Sequence, residues 1–469
     1  MHEKELGASL WVGLGRLADG LRASFLHQTR LRRAETASRA EILSLQEKRL
    51  ERLLEHAARQ STFYGRRWGK SVPTPGDFRQ LEPVTKRELL DKGFDEALTD
   101  PALNRESLHK LLGHGGRSPY IVLATSGTTG EPVIVPYSRR EWIEGLAYMI
   151  RGESRRSSSL LQALRTARRV GSVATHNPIH VSTQLAASLE FLPGARLSLS
   201  AGMSIEEQIE RLEAFQPRML WGYPAAIDLL AKAQLEGRLH IRPERVLTGG
   251  ETMPSGFRER LRAAWGAEIF DSYGLTEGLV FGWECRQHRG LHIDEDAVIL
   301  EVVDKDDRLL PWGKKGNSIL VTNLYNWTLP VIRYRVGDVM TISAEPCPCG
   351  VPFARITSIE GRRDEALPLE GAQGQTVELH PAALEAVLEA MDGVRRFQLR
   401  SSAGRAHVLV VPRGPGDGLA DRIKIELERI LASSGAAPDS VRVEIVAGLE
   451  GELGSTDKRR RVLRDSRRD

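Results

Sequence analysis

Between residues 118 and 340, short β-like runs recur, and helical stretches separate several of them. The runs are YIVLATS, RRVGSVAT, RMLWGY, RVLTGG, AEIFDSYG and NSILVTNL; the helical stretches include SIEEQIERLEAFQ and FRERLRAAWG. Alternation of this kind predicts an α/β domain with its functional loops at the strand ends. After about residue 362 the texture changes. A helix (LHPAALEAVLEAM) precedes two strands (RRFQLRSS, AHVLVVP), a charged helix (LADRIKIELERILAS) and a final strand (SVRVEIVAG), a small α+β unit of ordinary domain size. At the other end, residues 1–60 are mostly helical in pattern, with Leu43, Leu45, Leu50, Leu53 and Leu54 at helical spacing. The expected division is an N-terminal helical extension over 1–42, a large α/β domain over 43–361, and a small C-terminal domain over 362–469.

A chain of 469 residues is too long for one ordinary core, which agrees with that division. Hydrophobic residues make up 41% and charged residues 27%, the balance of a soluble globular protein. No apolar run approaches the ~20 residues of a membrane span. The N-terminus lacks both a continuous apolar region and a small-residue cleavage site, so no signal peptide is read and a cytoplasmic location is expected. The net charge of +4 is slight, and the basic clusters at 151–169 and in DKRRRVLRDSRRD lack the interleaved aromatics of a nucleic-acid surface. They read as a solvated helix face and a charged tail, with attraction of an anionic cofactor as the alternative. With only three cysteines, Cys285, Cys347 and Cys349, no disulfide framework is expected.

The chemistry starts at ATSGTTGEP (124–132), where two glycines stand among small hydroxyl residues directly after an apolar run. Such a loop can bring backbone N–H groups to phosphate oxygens, with Ser126, Thr128 and Thr129 adding hydroxyl donors. It is neither G-x-x-x-x-G-K-[ST] nor G-x-G-x-x-G, and taken alone it reads equally well as a turn. Its company is more specific: DSYGLTE at 271–277, YRVGD at 334–338, GRRD at 361–364, and Lys458 near the end.

In order, spacing and residue type these five segments resemble the signatures of the adenylate-forming (acyl-CoA synthetase) superfamily. Those signatures are TSGTTG-x-P, YG-x-TE, Y-R-x-GD, GR-x-D and a C-terminal lysine. STFYGRRW (61–68), LEPVTKREL (81–89), VLTGGE (246–251) and HPAALEAVL (380–388) narrow the resemblance to the phenylacetate–CoA ligase branch. It covers about residues 43–463. The resemblance implies an adenylate-forming large domain, with β-sheets and flanking helices, and a mobile small domain. It also implies activation of a carboxylic acid with ATP and Mg²⁺, then transfer to coenzyme A. A carrier-protein thiol or an amine is the alternative acceptor, an inactive nucleotide-binding regulator is a remote one, and a homodimer is allowed.

Carried over residue by residue, the resemblance places Ser126, Gly127, Thr128, Thr129 and Gly130 on the departing pyrophosphate. It puts Glu277 on Mg²⁺, Thr276 on the α-phosphate and Tyr273 against adenine. Gly250, Glu251, Asp271, Ser272 and Gly274 complete the nucleotide site. Asp338 would accept from both ribose hydroxyls, which a carboxylate does well, and Arg362 would serve the same region. Lys458 would assist adenylation from the small domain, which would pivot at Asp364 between two half-reactions. The chain departs from the pattern at Glu131, where a lysine is usual, at the GRRDE hinge, where a second aspartate is common, and at Asp457, where a glycine is usual.

If the two nucleotide motifs converge, the loops that follow them become neighbours. Cys285 and His292 lie in WECRQHRGLHIDED, and Cys347 and Cys349 in EPCPCG. Three thiolates and one imidazole would make a closed, structural Zn²⁺ site, with His288 competing for the fourth place. Some relatives in this branch carry a similar set. The resemblance places the acyl pocket at THNPIHVST (175–183), WGYP (221–224) and the 248–252 turn, with His176, Trp221, Tyr223 and Gly249 as wall residues. Trp221 and Tyr223 suit a flat aromatic acid and serve equally well as core residues.

Overall fold

The computed structural model describes residues 18–449 and 462–464, apart from residues 70, 90–92, 114–117, 125–132, 158, 189–193, 254–255, 363–366, 380–383, 385–386, 389–390, 403 and 416. The first strands, β1 (Tyr120–Ala124) and β2 (Ile134–Ser138), form an antiparallel pair in which Ala124 faces Ile134. The Gly/Ser/Thr segment joins these two strands, and its residues Ser126–Gly130 lie outside the described residues.

The alternating stretch folds as its pattern predicts. β3 (Arg169–Ala174), β4 (Ala195–Ser200), β5 (Met219–Gly222), β6 (Arg245–Gly249) and β7 (Glu268–Leu275) run parallel. Then β8 (Leu279–Glu284) and β9 (Leu291–Ile293) turn the sheet antiparallel. β10 (Val298–Val303), β11 (Ser318–Asn323) and β12 (Tyr334–Val336) make a separate three-stranded sheet. β13 (Asp338–Ser343) and β14 (Arg355–Arg362) close the large sheet, whose order is β13-β14-β9-β8-β7-β6-β5-β3-β4.

Helices α1 (Arg39–Gln60) and α2 (Arg139–Arg156) belong to the larger half of the molecule. The crossovers of the parallel sheet are α3 (Val181–Ser188), α4 (Ile205–Phe215), α5 (Pro224–Leu235) and α6 (Phe257–Trp265). Pro224 opens α5 at a position where no intrahelical donor is lost. The parallel strands bury Val173, Leu199, Leu220 and Val246 against Leu212, Ile227, Leu230 and Leu261 of the covering helices. Burying each such side chain contributes roughly 1.5–3 kcal/mol before entropy is set against it.

A separate apolar cluster belongs to the C-terminal part. β15 (Leu367–Glu370) pairs with β16 (Thr376–Leu379). β17 (Val394–Ser402), β18 (Arg405–Pro412), β19 (Val441–Ile445) and β20 (Val462–Arg464) form one sheet. Helix α7 (Leu419–Ser434) lays Leu419, Ile423, Leu427 and Leu431 on its strands. The helix expected at LHPAALEAVLEAM falls mostly outside the described residues, as do Asp364 and Lys458.

Two expectations are corrected. The buried stripe of α1 is Ile42, Leu50, Leu53, Leu54 and Ala57, and Leu43 faces solvent. The Arg151–Arg169 cluster is not a solvated face throughout. Arg151 is fully buried among Asp294, Asp296 and Glu35, and Arg156 is buried beside Glu153 and the Asp271 carbonyl. Charge is tolerated inside because each guanidinium meets carboxylates or carbonyls there. A helical arm, residues 18–34 with a π turn at His27–Leu31, delivers Glu35 and the Leu31 carbonyl to this hub.

Candidate functional site

The parallel strands β3, β5, β6 and β7 end on the same side of the sheet, and most of the candidate residues sit at or just beyond those ends. Ligands bind at the carboxyl ends of the strands in folds of this type. Beyond β3, His176 is exposed and its Nε2 lies 3.1 Å from Ser198 Oγ. Beyond β5, Tyr223 is buried and its hydroxyl is 3.1 Å from Ser182 Oγ, while Trp221 on β5 is half-buried. At the end of β6, Gly249 is required by packing. A Cβ there would lie 2.6 Å from Ser272 Oγ on the adjoining strand. Gly250 takes a left-handed backbone (φ 81°), and Glu251 Oε2 accepts from the Ala225 amide at the start of α5.

Strand β7 carries DSYGLTE and is held from both sides. Thr248 Oγ1 donates to the Asp271 carboxylate at 2.9 Å, and Ser272 Oγ donates to the Thr248 carbonyl at 2.7 Å. Burial raises the Asp271 carboxyl to about 7. A Cβ on Gly274 would press on the Leu279 carbonyl across the hairpin, so the tight β7–β8 turn requires glycine at this position. At the tip, Glu277 is buried and its carboxyl is raised by that burial; burial and the nearby Glu277 charge in turn push the Tyr334 hydroxyl up.

Asp338 lies across from Tyr273. The Tyr273 hydroxyl donates to one carboxylate oxygen, and Arg362 Nε donates to the other at 3.1 Å. The β13–β14 register, which pairs Asp338 with Arg362, makes that contact. Arg362 is 40% exposed, so this flank of the carboxylate opens outward. The structure thus brings Tyr273, Glu277, Tyr334, Asp338 and Arg362 together. Tyr334 was singled out in the sequence only as a letter of YRVGD, not as a partner of Glu277.

Behind this site the cysteines converge. Cys285, Cys347, Cys349 and His292 bring one ligand atom each, all within 4.8 Å of one another. Cys285 Sγ and Cys347 Sγ are 3.8 Å apart, and His292 Nε2 is 3.3 Å from Cys349 Sγ. Hydrogen bonds from Cys285 and His292 hold the Cys349 thiol well below its ordinary value. His288 is excluded from the set: its Nδ1 pairs with Glu284 at 3.1 Å and its ring stacks on Phe270. The His292 ring stacks on Trp283 at 4.8 Å, and Trp283 Nε1 donates to Asp294.

Three side chains that reasoning from motifs passed over also touch the site. Tyr137, Asn323 and Tyr325 donate to the carbonyls of Thr276, Glu277 and Gly278. Their only signal in the sequence is polarity inside apolar runs such as SILVTNLY.

A family model described as AMP-binding enzyme matches residues 43–322. A phenylacetate-coenzyme A ligase of Thermus thermophilus is 29% identical over 77% of this chain and 78% of its own length. The Escherichia coli phenylacetate-coenzyme A ligase is 28% identical over 76% and 78%. In three dimensions the chain is similar to a 2-hydroxyisobutyryl-CoA ligase crystallised in the postadenylation state with 2-HIB-AMP, with a TM-score of 0.71 at 21% identity over 92% of each chain. Since the matched family segment spans well over half its length, the chain belongs to the AMP-binding enzyme family.

Proposed function

We propose that this chain, an AMP-forming acid–CoA ligase, takes an aryl or arylacetic acid as its acyl donor. A carboxylate oxygen of the acid attacks the α-phosphorus of ATP. The bond to the bridging oxygen breaks, and pyrophosphate leaves with the electron pair. The sulfur of CoA then adds to the acyl carbonyl, its proton passes to solvent, and AMP departs. The observation that carries this reading is the convergence of Tyr273, Glu277, Asp338 and Arg362 at the ends of β7, β13 and β14.

The residues suit these tasks. Asp338 presents a carboxylate to ribose hydroxyls, sharing it with Tyr273 and Arg362. Glu277 is a desolvated carboxylate whose raised protonation a divalent cation would reverse, which fits Mg²⁺. Mg²⁺ there would neutralise phosphate charge as the pyrophosphate leaves. Aromatic Trp221 on β5 and Tyr223 just beyond it support a flat acyl group, as do the relatives named for phenylacetate. A panel of arylacetic, benzoic and short aliphatic acids, incubated with ATP and CoA and read by mass spectrometry, tests the reading. Aryl acyl-CoA should dominate, and a preference for short aliphatic acids would overturn the substrate class.

We also propose that Cys285, His292, Cys347 and Cys349 hold one structural Zn²⁺. Tetrahedral ligation at 2.3 Å sets sulfur atoms about 3.8 Å apart, and the Cys285–Cys347 separation of 3.8 Å suits that geometry. All four ligands are protein side chains, which leaves no open position for substrate. Freshly purified protein should carry about one equivalent of zinc, and Cys347→Ser should lose stability before activity because folding and metal binding are coupled. Protein purified without chelator and free of zinc would end this assignment.

A further inference from the structure

The tip of the β7–β8 hairpin offers three successive main-chain carbonyls, and a different buried side chain reaches each one. The Tyr137 hydroxyl donates to Thr276 at 2.7 Å, Asn323 Nδ2 to Glu277 at 2.9 Å, and the Tyr325 hydroxyl to Gly278 at 2.9 Å. Exposed hairpin tips satisfy their carbonyls with water; this one has solvent replaced by three fixed donors.

The donors are themselves fixed. Asn323 Oδ1 accepts the amides of Tyr325 and Asn326 at 2.9 and 3.1 Å, which turns its Nδ2 toward Glu277. Asn326 Nδ2 donates to the Pro136 carbonyl, next to Tyr137 on β2, at 3.2 Å. The Tyr325 ring packs 5.5 Å from that of Tyr148. On the other flank a Cβ at Gly145 would collide with Leu279, so α2 sits directly against the turn. Leu279 holds a left-handed backbone (φ 53°), which a leucine adopts only when its surroundings enforce it.

Tyr137 has a second connection. It lies on β2, the strand that leads away from the segment carrying Ser126–Gly130. One hydroxyl therefore ties the β1–β2 hairpin to the turn that carries Thr276 and Glu277.

We infer that Tyr137, Asn323 and Tyr325 are positioning residues for the adenylation half-reaction. They hold the 276–278 turn in fixed register with the β1–β2 hairpin, so that the Thr276 hydroxyl and the Glu277 carboxylate meet the nucleotide and its cation without rearranging. The inference rests on the assignment of Glu277 to Mg²⁺ and adds what aims it.

Tyr137→Phe and Tyr325→Phe each delete one oxygen and keep the ring. Leaving a buried carbonyl without its donor should slow pyrophosphate release, driven by the best acid of the panel, by about tenfold in Tyr137→Phe and less in Tyr325→Phe. Half-saturation by Mg²⁺ should rise several-fold, both in that assay and in calorimetric binding of α,β-methylene-ATP, which needs no acid. Thioester formation from supplied acyl-adenylate and CoA should stay within about twofold, since it does not use this cation. If both half-reactions fall equally, or Mg²⁺ half-saturation matches the parent, the positioning role is overturned. Glu277→Gln separates the two claims: retention of the parent's Mg²⁺ dependence by that variant would remove the Glu277 assignment itself. Should Tyr137→Phe fail to fold, Tyr325→Phe carries the same test.

Discussion

Two arginine–carboxylate arrangements in this molecule look alike on paper and differ in what surrounds them. Arg151 meets Asp294 at 2.8 Å and Asp296 at 2.7 and 2.8 Å, and these two aspartates are at most 1% exposed. Arg362 meets Asp338 at 3.1 Å, but Arg362 is 40% exposed and the other oxygen is held by a tyrosine hydroxyl. In the first case burial, which raises Asp296, is outweighed by Arg151, and the carboxyl stays below its ordinary value. The first arrangement is buried: α2, the arm through the Leu31 carbonyl, and the β9–β10 loop meet in it. The second has one open side. The difference lies in the exposure of the basic partner: Arg151 is sealed in with its carboxylates, whereas Arg362 reaches solvent.

Breaking the closed pair should have the largest effect. Arg151→Met leaves Asp294 and Asp296 buried without their cation, at a cost of about 3–5 kcal/mol. The melting temperature should fall on the order of 10 °C, while the folded fraction keeps its affinity for ATP. Thermal melts with parallel ATP calorimetry read both, and an unchanged melting temperature would show that the hub is not what holds α2 to the β9–β10 loop.

Breaking the open pair should do the reverse. Asp338→Ala removes a charge-assisted acceptor worth about 1.5–3 kcal/mol, so ATP binding should weaken roughly tenfold or more. Melting without nucleotide should fall less than in Arg151→Met, because solvent can satisfy Arg362 and only the Tyr273 hydroxyl loses a buried acceptor. ATP affinity equal to the parent's by calorimetry would remove the ribose role.

The same contrast explains what was legible in the sequence. Glu277 and Asp338 were singled out through the resemblance of DSYGLTE and YRVGD to family signatures, and the three cysteines through their place just after those motifs. The strands β3, β5, β6, β7 and β11 were legible as apolar runs. Their supports were not. Arg151 finds Asp296 145 residues away and Tyr137 finds Thr276 139 residues away, so no local pattern signals either pairing. A cluster of arginines reads as solvated until the carboxylates that bury it are known. The choice between His288 and His292 needed geometry too, since both lie within the same short loop and Glu284 captures the first. On α1 both Ile42 and Leu43 suit an apolar stripe, and packing against Trp283 and Phe353 selected Ile42.

Asp271 sharpens the comparison, because it is a desolvated carboxyl with no arginine hydrogen-bonded to its side chain among the described residues. Its carboxylate accepts from Thr248 Oγ1 and the Ser272 amide, and it lies near the Glu284 carboxylate. Burial is the largest influence and raises it from 3.8 to about 7. The folded chain therefore holds this proton more tightly than the unfolded chain does. Ionising it opposes folding, by an amount that grows from near pH 4 to near pH 7 and is constant above. Asp271→Asn lacks that cost and turns an amide donor toward Glu284. The gain should be a few kcal/mol at pH 8, shrinking toward zero near pH 4. Thermal melts of parent and variant at pH 5, 6.5 and 8 should diverge as pH rises. A difference that stays the same across the three would show that Asp271 is ionised throughout, which would place it with Asp296 among the stabilised carboxylates.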